Sequence, residues 1–372
     1  MHLLALLLVP ILAKQKLKGP VEYSYVAVAV AFFDAKGQQV AQKFQPRETA
    51  TVPARFPRTG EVVPSSVGDF KVTGELGKGT DSTVFRAVQV RGSLKVAIKF
   101  QIYPDSDRAN SVETDYRILS LMAHMGFGSR FPQVHYLSEL GSVVRDGETL
   151  NMRYLVMELL GSSVWTLTKK FTYALPMPTI ASVGIQCIDI LQQLHSTGLI
   201  HGDIHLENIL FVDGLADEEG RIFTDRVVLG DYGRSTYFID PSTGTHIPDE
   251  TIVYSEKRNL LFLSPFELAL GTPSRREDIF RLMETLARMV NERKYSDTFR
   301  KLQTNREAIL HAKRTTHLTD IFPNIAPEFD ALYNYSRSLG FTEEPDYSRL
   351  RQGFLAILAS SGVMYADEII LP

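Results

Sequence analysis

The sequence predicts an α+β fold in two lobes, a small β-rich lobe with one helix over residues 68–158 and a large α-helical lobe over residues 162–360. Two observations carry this. From Gly68 to about Glu158 the apolar residues fall in short Val- and Ile-rich runs interrupted by a single helical period, and beyond that point helical periods dominate. Composition allows such a fold, since 372 residues at 44% hydrophobic content can bury one large core or two coupled ones. A net charge of -3 leaves no basic excess of the kind that binds nucleic acid, so any anion recognition must be local. The single cysteine, Cys187, excludes an intramolecular disulfide. It falls in "TIASVGIQCIDILQQLH", whose apolar residues recur at helical spacing, and reads as a core-facing thiol.

The chain opens on an apolar run, "MHLLALLLVPILA", too short to span a bilayer and suited to a signal peptide over residues 1–13. Lys14, Lys16 and Lys18 follow the run instead of preceding it, the reverse of the usual signal layout, so an ordinary hydrophobic N-terminus is the alternative. A cleaved signal places the protein in the secretory pathway; without one it is expected in the cytoplasm. No membrane span is expected. Residues 14–67 read as a hairpin and a linker. "VEYSYVAVAVAFFDAKGQQVAQKF" alternates on either side of a turn at Lys36-Gly37, and Gln45 to Ser66 holds Pro46, Pro53, Pro57 and Pro64 with no apolar period. The main domain is therefore drawn over residues 68–360.

Its first element is "GELGKGTDSTVFRAVQV", a glycine-rich turn between two strands. Glycine at 77 and 79 lets backbone amides approach triphosphate oxygens with no side chain in the way. Ser82 stands where the third glycine of such loops falls, and Val84 supplies an apolar cover for a base. The strand Val96-Ala97-Ile98-Lys99 follows, ending in a lysine that is costly in a buried strand unless it meets an anion. A partner carboxylate is then required, and Glu113, near the start of the helical pattern Val112, Leu119, Met122, is the one expected to point back at Lys99. "MRYLVMELLG" reads as a buried strand running into a connector, whose backbone would hydrogen-bond an adenine edge. The lining expected for a nucleotide is thus Leu76, Gly77, Lys78, Gly79, Val84, Ala97, Lys99, Glu158 and Leu160.

The chemistry is concentrated in "LIHGDIHLENIL", residues 199–210, and in "VVLGDYGRS", residues 227–235. Asp203 is placed to accept the proton of an attacking hydroxyl, with His201 packed behind it. Asn208, five residues on, and Asp231, in its D-Y-G turn, are placed to hold Mg²⁺. Each motif alone is weak; five in this order are not.

From the connector onward the chain resembles the casein kinase I group of the eukaryotic protein kinase superfamily. The likeness rests on "MELLGSSVWTL", "STGTHIPDE", "GTPSRREDIFRL" and "YSRSLGFTEEPDYSRLRQGF", and spans roughly Gly68 to Phe354. It implies the two-lobed protein-kinase-like fold, ATP and Mg²⁺ as cofactors, and a protein substrate with a serine or threonine acceptor. By the same likeness "LSPFELALG" stands for the usual Ala-Pro-Glu, and Asp278 is the buried aspartate that braces the catalytic loop. Two residues depart from the pattern. Gly202 removes the arginine that pairs with a phosphorylated activation loop. His205 replaces a lysine that neutralises the γ-phosphate, and histidine is only partly charged near neutrality. These departures keep two alternatives open: a weak or inactive pseudokinase scaffold, and a small-molecule kinase with a His-Gly-Asp-x-His loop.

Overall fold

The computed structural model describes residues 56–79, 82–103, 111–145, 147–170, 174–212, 223–224, 226–250, 260–363, 365 and 369–370. The possible signal peptide and the hairpin lie outside the described residues.

Among the described residues the small lobe is one antiparallel sheet. Its strands are β1 (Val62–Val63), β2 (Phe70–Lys78), β3 (Ser82–Gln89) and β4 (Lys95–Tyr103), then, after helix α1 (Ser111–His124), β5 (Val134–Leu137), β6 (Gly141–Arg145) and β7 (Glu148–Glu158). They pair in the order β1-β2-β3-β4-β7-β5, with β6 also on β7. Alternation along the strands sends Phe70, Val72, Phe85, Ile98, Phe100 and Val156 to one buried face, where Phe85 meets Phe100 edge-on at 5.8 Å. The stretch read from sequence as a linker contributes β1, with Val63 buried and Arg145 pairing with Glu61 at 2.7 Å. Two apolar residues are too short a run to register as a period, so this strand is invisible among the prolines.

The large lobe contains α2 (Val164–Lys170), α3 (Met177–Ser196), β8 (Leu199–Ile200), β9 (Ile209–Phe211), β10 (Phe223–Thr224), β11 (Val227–Leu229), β12 (Thr236–Tyr237), α4 (Pro265–Leu268), α5 (Arg275–Val290), α6 (Glu292–Arg300), α7 (Arg306–Thr315), α8 (Leu318–Ile321), α9 (Pro327–Ser338), α10 (Tyr347–Ser360) and β13 (Ile369–Ile370). Helices α3 and α5 are buried on nearly every face and form the centre of the core. Cys187 is among their fully buried residues, and burial pushes its thiol far up, as an inert core cysteine requires. α10 packs against Gly184 of α3: a Cβ there would lie 2.8 Å from the Phe354 ring. The two-lobed α+β architecture expected from the sequence is the one observed. No described helix is long and apolar enough to cross a membrane.

Ser264, the N-cap of α4, and Glu267 of α4 meet Glu277 and Arg281 of α5 in a buried cluster. Arg281 pairs with Glu267 and lies 3.9 Å from Glu277, to which the Ser264 hydroxyl donates. Two carboxylates thus share one guanidinium. Burial and then the charge of Glu267 push Glu277 up to about 8, against the pull of Arg281. A carboxyl raised above its ordinary 4.5 contributes stability that is complete below that value and lost as pH rises through about 8. In Glu277→Gln, which carries no titrating group, the melting temperature relative to the parent protein is expected to climb between pH 5 and pH 9. A constant difference across that range would show Glu277 ionised throughout.

Candidate active site

The site joins residues of both lobes and is built around one lysine. Lys99 sits in the middle of the sheet, opposite Val84 on β3 and Leu155 on β7, and is 4% exposed. Its Nζ donates to Asp115 Oδ2 at 2.6 Å and to Asp231 Oδ1 at 2.9 Å, the first from α1 and the second from the D-Y-G turn. Burial works to lower the lysine, but the two carboxylates outweigh it and hold Lys99 above its ordinary value. For Asp115 the balance reverses. Burial dominates, the charge of Asp231 adds to it, and Lys99, shared between two acids, offsets only part, leaving Asp115 raised to about 6.

Asp115 corrects the expectation of Glu113. Glu113 turns to the edge of α1, where its carboxylate pairs with Arg117 and takes a 2.7 Å hydrogen bond from Arg153 of β7. The geometric reason is helical phase: Asp115 lies on the buried stripe Val112, Asp115, Leu119, Met122, whereas Glu113 is one residue round from it. The signal was present in the sequence, because a carboxylate on an apolar stripe must have a buried partner. The helix itself is fixed to β4 by Gln101, whose Oε1 accepts from Ser111 Oγ and from the Val112 amide, both at 3.1 Å. Gln101 shares a face of its strand with Lys99, so one strand sets both the cation and the helix that faces it.

The catalytic loop and the D-Y-G turn are brought together by a short ribbon. β9 pairs with β11 in the register Ile209↔Leu229, and the Gly230 amide donates to the Asn208 carbonyl at 2.8 Å. Asn208 and Asp231 therefore flank the same end of the ribbon. Asn208 Nδ2 donates to the Asp203 carbonyl at 2.8 Å, which turns its Oδ1 outward as an acceptor. Asp231 has a left-handed backbone, φ +59°, and a carboxylate 45% exposed. These oxygens, hard and partly free, suit Mg²⁺.

Beneath the loop, Asp278 of α5 is fully buried. It accepts from the amides of His201 at 2.7 Å and Gly202 at 2.9 Å, and from His195 Nε2 at 2.9 Å. His201 is fully buried against Tyr232, ring centres 4.7 Å apart, and donates from Nε2 to the Gly230 carbonyl at 3.1 Å. Burial lowers its pKa, so it is a neutral anchor. Asp203 is the opposite case. Burial would raise it, but the adjacent His205 imidazole and the charges of Arg234 and Arg281 hold it well below the usual carboxylate range. It stays ionised across the neutral range, and two side-chain nitrogens approach the same oxygen, Oδ2, His205 Nε2 at 3.8 Å and Arg234 Nε at 3.6 Å. Arg234 is a site residue that no sequence motif marks.

The expected nucleotide lining divides. Val84 and Ala97 lie on β3 and β4 beside Lys99, with Gly77 opposite Val84. Leu76 is 43% exposed at the rim, next to Gly77 and Lys78, and the Gly79 amide closes the turn on the Ser82 carbonyl at 2.8 Å. A Cβ on Gly77 would meet nothing within 4 Å, so the loop leaves open space for an anion. Glu158 points its side chain to the rear, accepting from Arg226 at 2.5 Å, and its amide is used by the Gln133 carbonyl. Leu159 and Leu160 enter no backbone hydrogen bond among the described residues, leaving the connector groups on the cleft side available.

A model of the protein kinase domain matches residues 70–337. The chain belongs to the protein kinase family, and within it is casein kinase I-like. It is 25% identical over 311 residues to casein kinase I homolog 2 of Schizosaccharomyces pombe, and 27% over 312 residues to casein kinase I homolog RAG8 of Kluyveromyces lactis. Against casein kinase I homolog 2 of Saccharomyces cerevisiae it is 26% identical over 310 residues. Each alignment covers 79% of this chain but only 63%, 51% and 50% of the respective relative. The chain thus spans about half to under two thirds of the length of these curated relatives.

Proposed function

We propose that this chain is an active serine/threonine protein kinase of casein kinase I type that uses ATP and Mg²⁺. The observation that carries this reading is Lys99 held between Asp115 and Asp231 at 2.6 and 2.9 Å. MgATP, when bound, supplies the phosphoryl group. Lys99 orients the α- and β-phosphates, and Asn208 Oδ1 with the Asp231 carboxylate would hold the metal. Asp203 is ionised and has Oδ1 uncommitted among the described residues, which supports its role in orienting the acceptor hydroxyl and taking its proton. Asp278 fixes the loop amides so that Asp203 needs no reorganisation.

The likeness to casein kinase I homologs favours a protein acceptor, whereas the His-Gly-Asp-x-His loop keeps a small-molecule acceptor in view. The test is competition between the two. The purified full chain with γ-labelled ATP and Mg²⁺ is expected to label dephosphorylated casein, chiefly on serine and threonine, and to leave a panel of hydroxylated metabolites unlabelled. Label on a metabolite and none on casein would reverse the assignment.

A further inference from the structure

The fixed cation that the catalytic loop lacks at position 205 is supplied from another segment. Arg234, the residue after the D-Y-G turn, brings Nε to 3.6 Å from Asp203 Oδ2, beside His205 Nε2 at 3.8 Å. A loop lysine would have to deliver its charge to this same spot. The second departure from the family pattern is coupled to the first. Gly202 adopts φ +75°, and a Cβ there would lie 2.9 Å from the Arg234 carbonyl oxygen. Absence of a side chain at 202 is therefore what lets the backbone at 234 run against the loop, and the Ser235 hydroxyl pins it there by donating to the His201 carbonyl at 3.1 Å.

We propose that Arg234 is a catalytic residue of this kinase, carrying in its guanidinium the permanent charge that screens the γ-phosphoryl group during transfer. The inference rests on the protein kinase reading above. In that step the acceptor oxygen forms a bond to the γ-phosphorus, and the bond from that phosphorus to the β–γ bridging oxygen breaks. The electron pair leaves with ADP and the hydroxyl proton goes to Asp203. Negative charge spread over the γ-oxygens and the leaving oxygen is best met by a donor that is charged at every working pH and planar enough to serve two oxygens, as an arginine is and an imidazole is not. The Arg234 side chain is 60% exposed, so its hold on Asp203 is weak and easily exchanged for a phosphate. The other arginine acting on Asp203, Arg281, is buried and committed to Glu267, so of these two arginines Arg234 is the one able to move.

Arg234→Met, Arg234→Lys and the double variant Arg234→Met with His205→Lys decide the matter. Two readouts are needed: kcat on casein, and the affinities for Mg·ADP and for Mg·ADP with aluminium fluoride, a mimic of the transferring group, by calorimetry. Arg234→Met is expected to lower kcat about 10²-fold and to weaken the fluoride complex similarly while leaving Mg·ADP unchanged. Arg234→Lys, and His205→Lys added to Arg234→Met, should each recover at least about tenfold of the loss. Unchanged or increased kcat in Arg234→Met with unchanged fluoride affinity would overturn the proposal while leaving the kinase reading intact. So would a loss that extends equally to Mg·ADP and is recovered by neither lysine. A parent protein that transfers no phosphate would overturn both.

Discussion

Asp203→Ala is expected to lower phosphoryl transfer by roughly 10²–10⁴-fold, the range over which a positioned acid–base group acts, with MgATP affinity nearly unchanged. The asymmetry follows from the geometry. On the proposed reading Asp203 would face the acceptor and nucleotide contacts would fall to Lys99, the glycine-rich turn and the connector, and among the described residues none of these hydrogen-bonds the Asp203 side chain. Removing the carboxylate also leaves Asn208 in place, because Asn208 is anchored on the Asp203 carbonyl and not its side chain. Turnover and nucleotide affinity measured on one preparation check this; a comparable loss in both would mean that the loop itself had been displaced.

Asp115→Ala and Glu113→Ala should differ sharply. Without Asp115, Lys99 keeps only Asp231 among the described residues, and a buried pair broken on one side costs about 3 kcal/mol or more. A lysine free to swing by about 1 Å costs on the order of 10²-fold in rate. Glu113→Ala removes ion pairs with Arg117 and Arg153 at the helix edge, and should change stability by about 1 kcal/mol or less and activity little. The parent enzyme should also lose activity as pH falls through about 6. Below that value Asp115 takes up a proton and the attraction that orients Lys99 fades. Melting temperatures and kcat for the two variants, with a pH–rate profile of the parent, test this, and equal effects from both would return Glu113 to the role first expected of it.

What the sequence makes legible and what it hides have physical causes. Asp203, Asn208 and Asp231 can be read because phosphoryl-transfer chemistry ties residue type to spacing on one short loop and one turn, so they converge through a local ribbon, β9 with β11. The two lobes can be read because a change in apolar period is a property of long stretches. The carboxylate facing Lys99 falls two residues beyond the expected Glu113 because helical phase, not order along the chain, decides which acid is buried, and Val112, Leu119 and Met122 already mark the buried stripe. Arg234 and the contact it makes past Gly202 depend on how two distant segments pass one another, which no spacing within either segment encodes. The same holds for Arg226, just before β11, whose link to Glu158 reaches the end of β7 across 68 residues.

The central claim is that Lys99, Asp115, Asp203, Asn208 and Asp231 form a working site despite Gly202 and His205. Phosphate transfer to casein, followed by identification of the phosphorylated amino acid and set beside MgATP binding in the same preparation of the full chain, tests it most directly. The account predicts MgATP binding together with phosphoserine or phosphothreonine. MgATP bound with no phosphate transferred to any protein would contradict it, and would make this chain a nucleotide-binding scaffold.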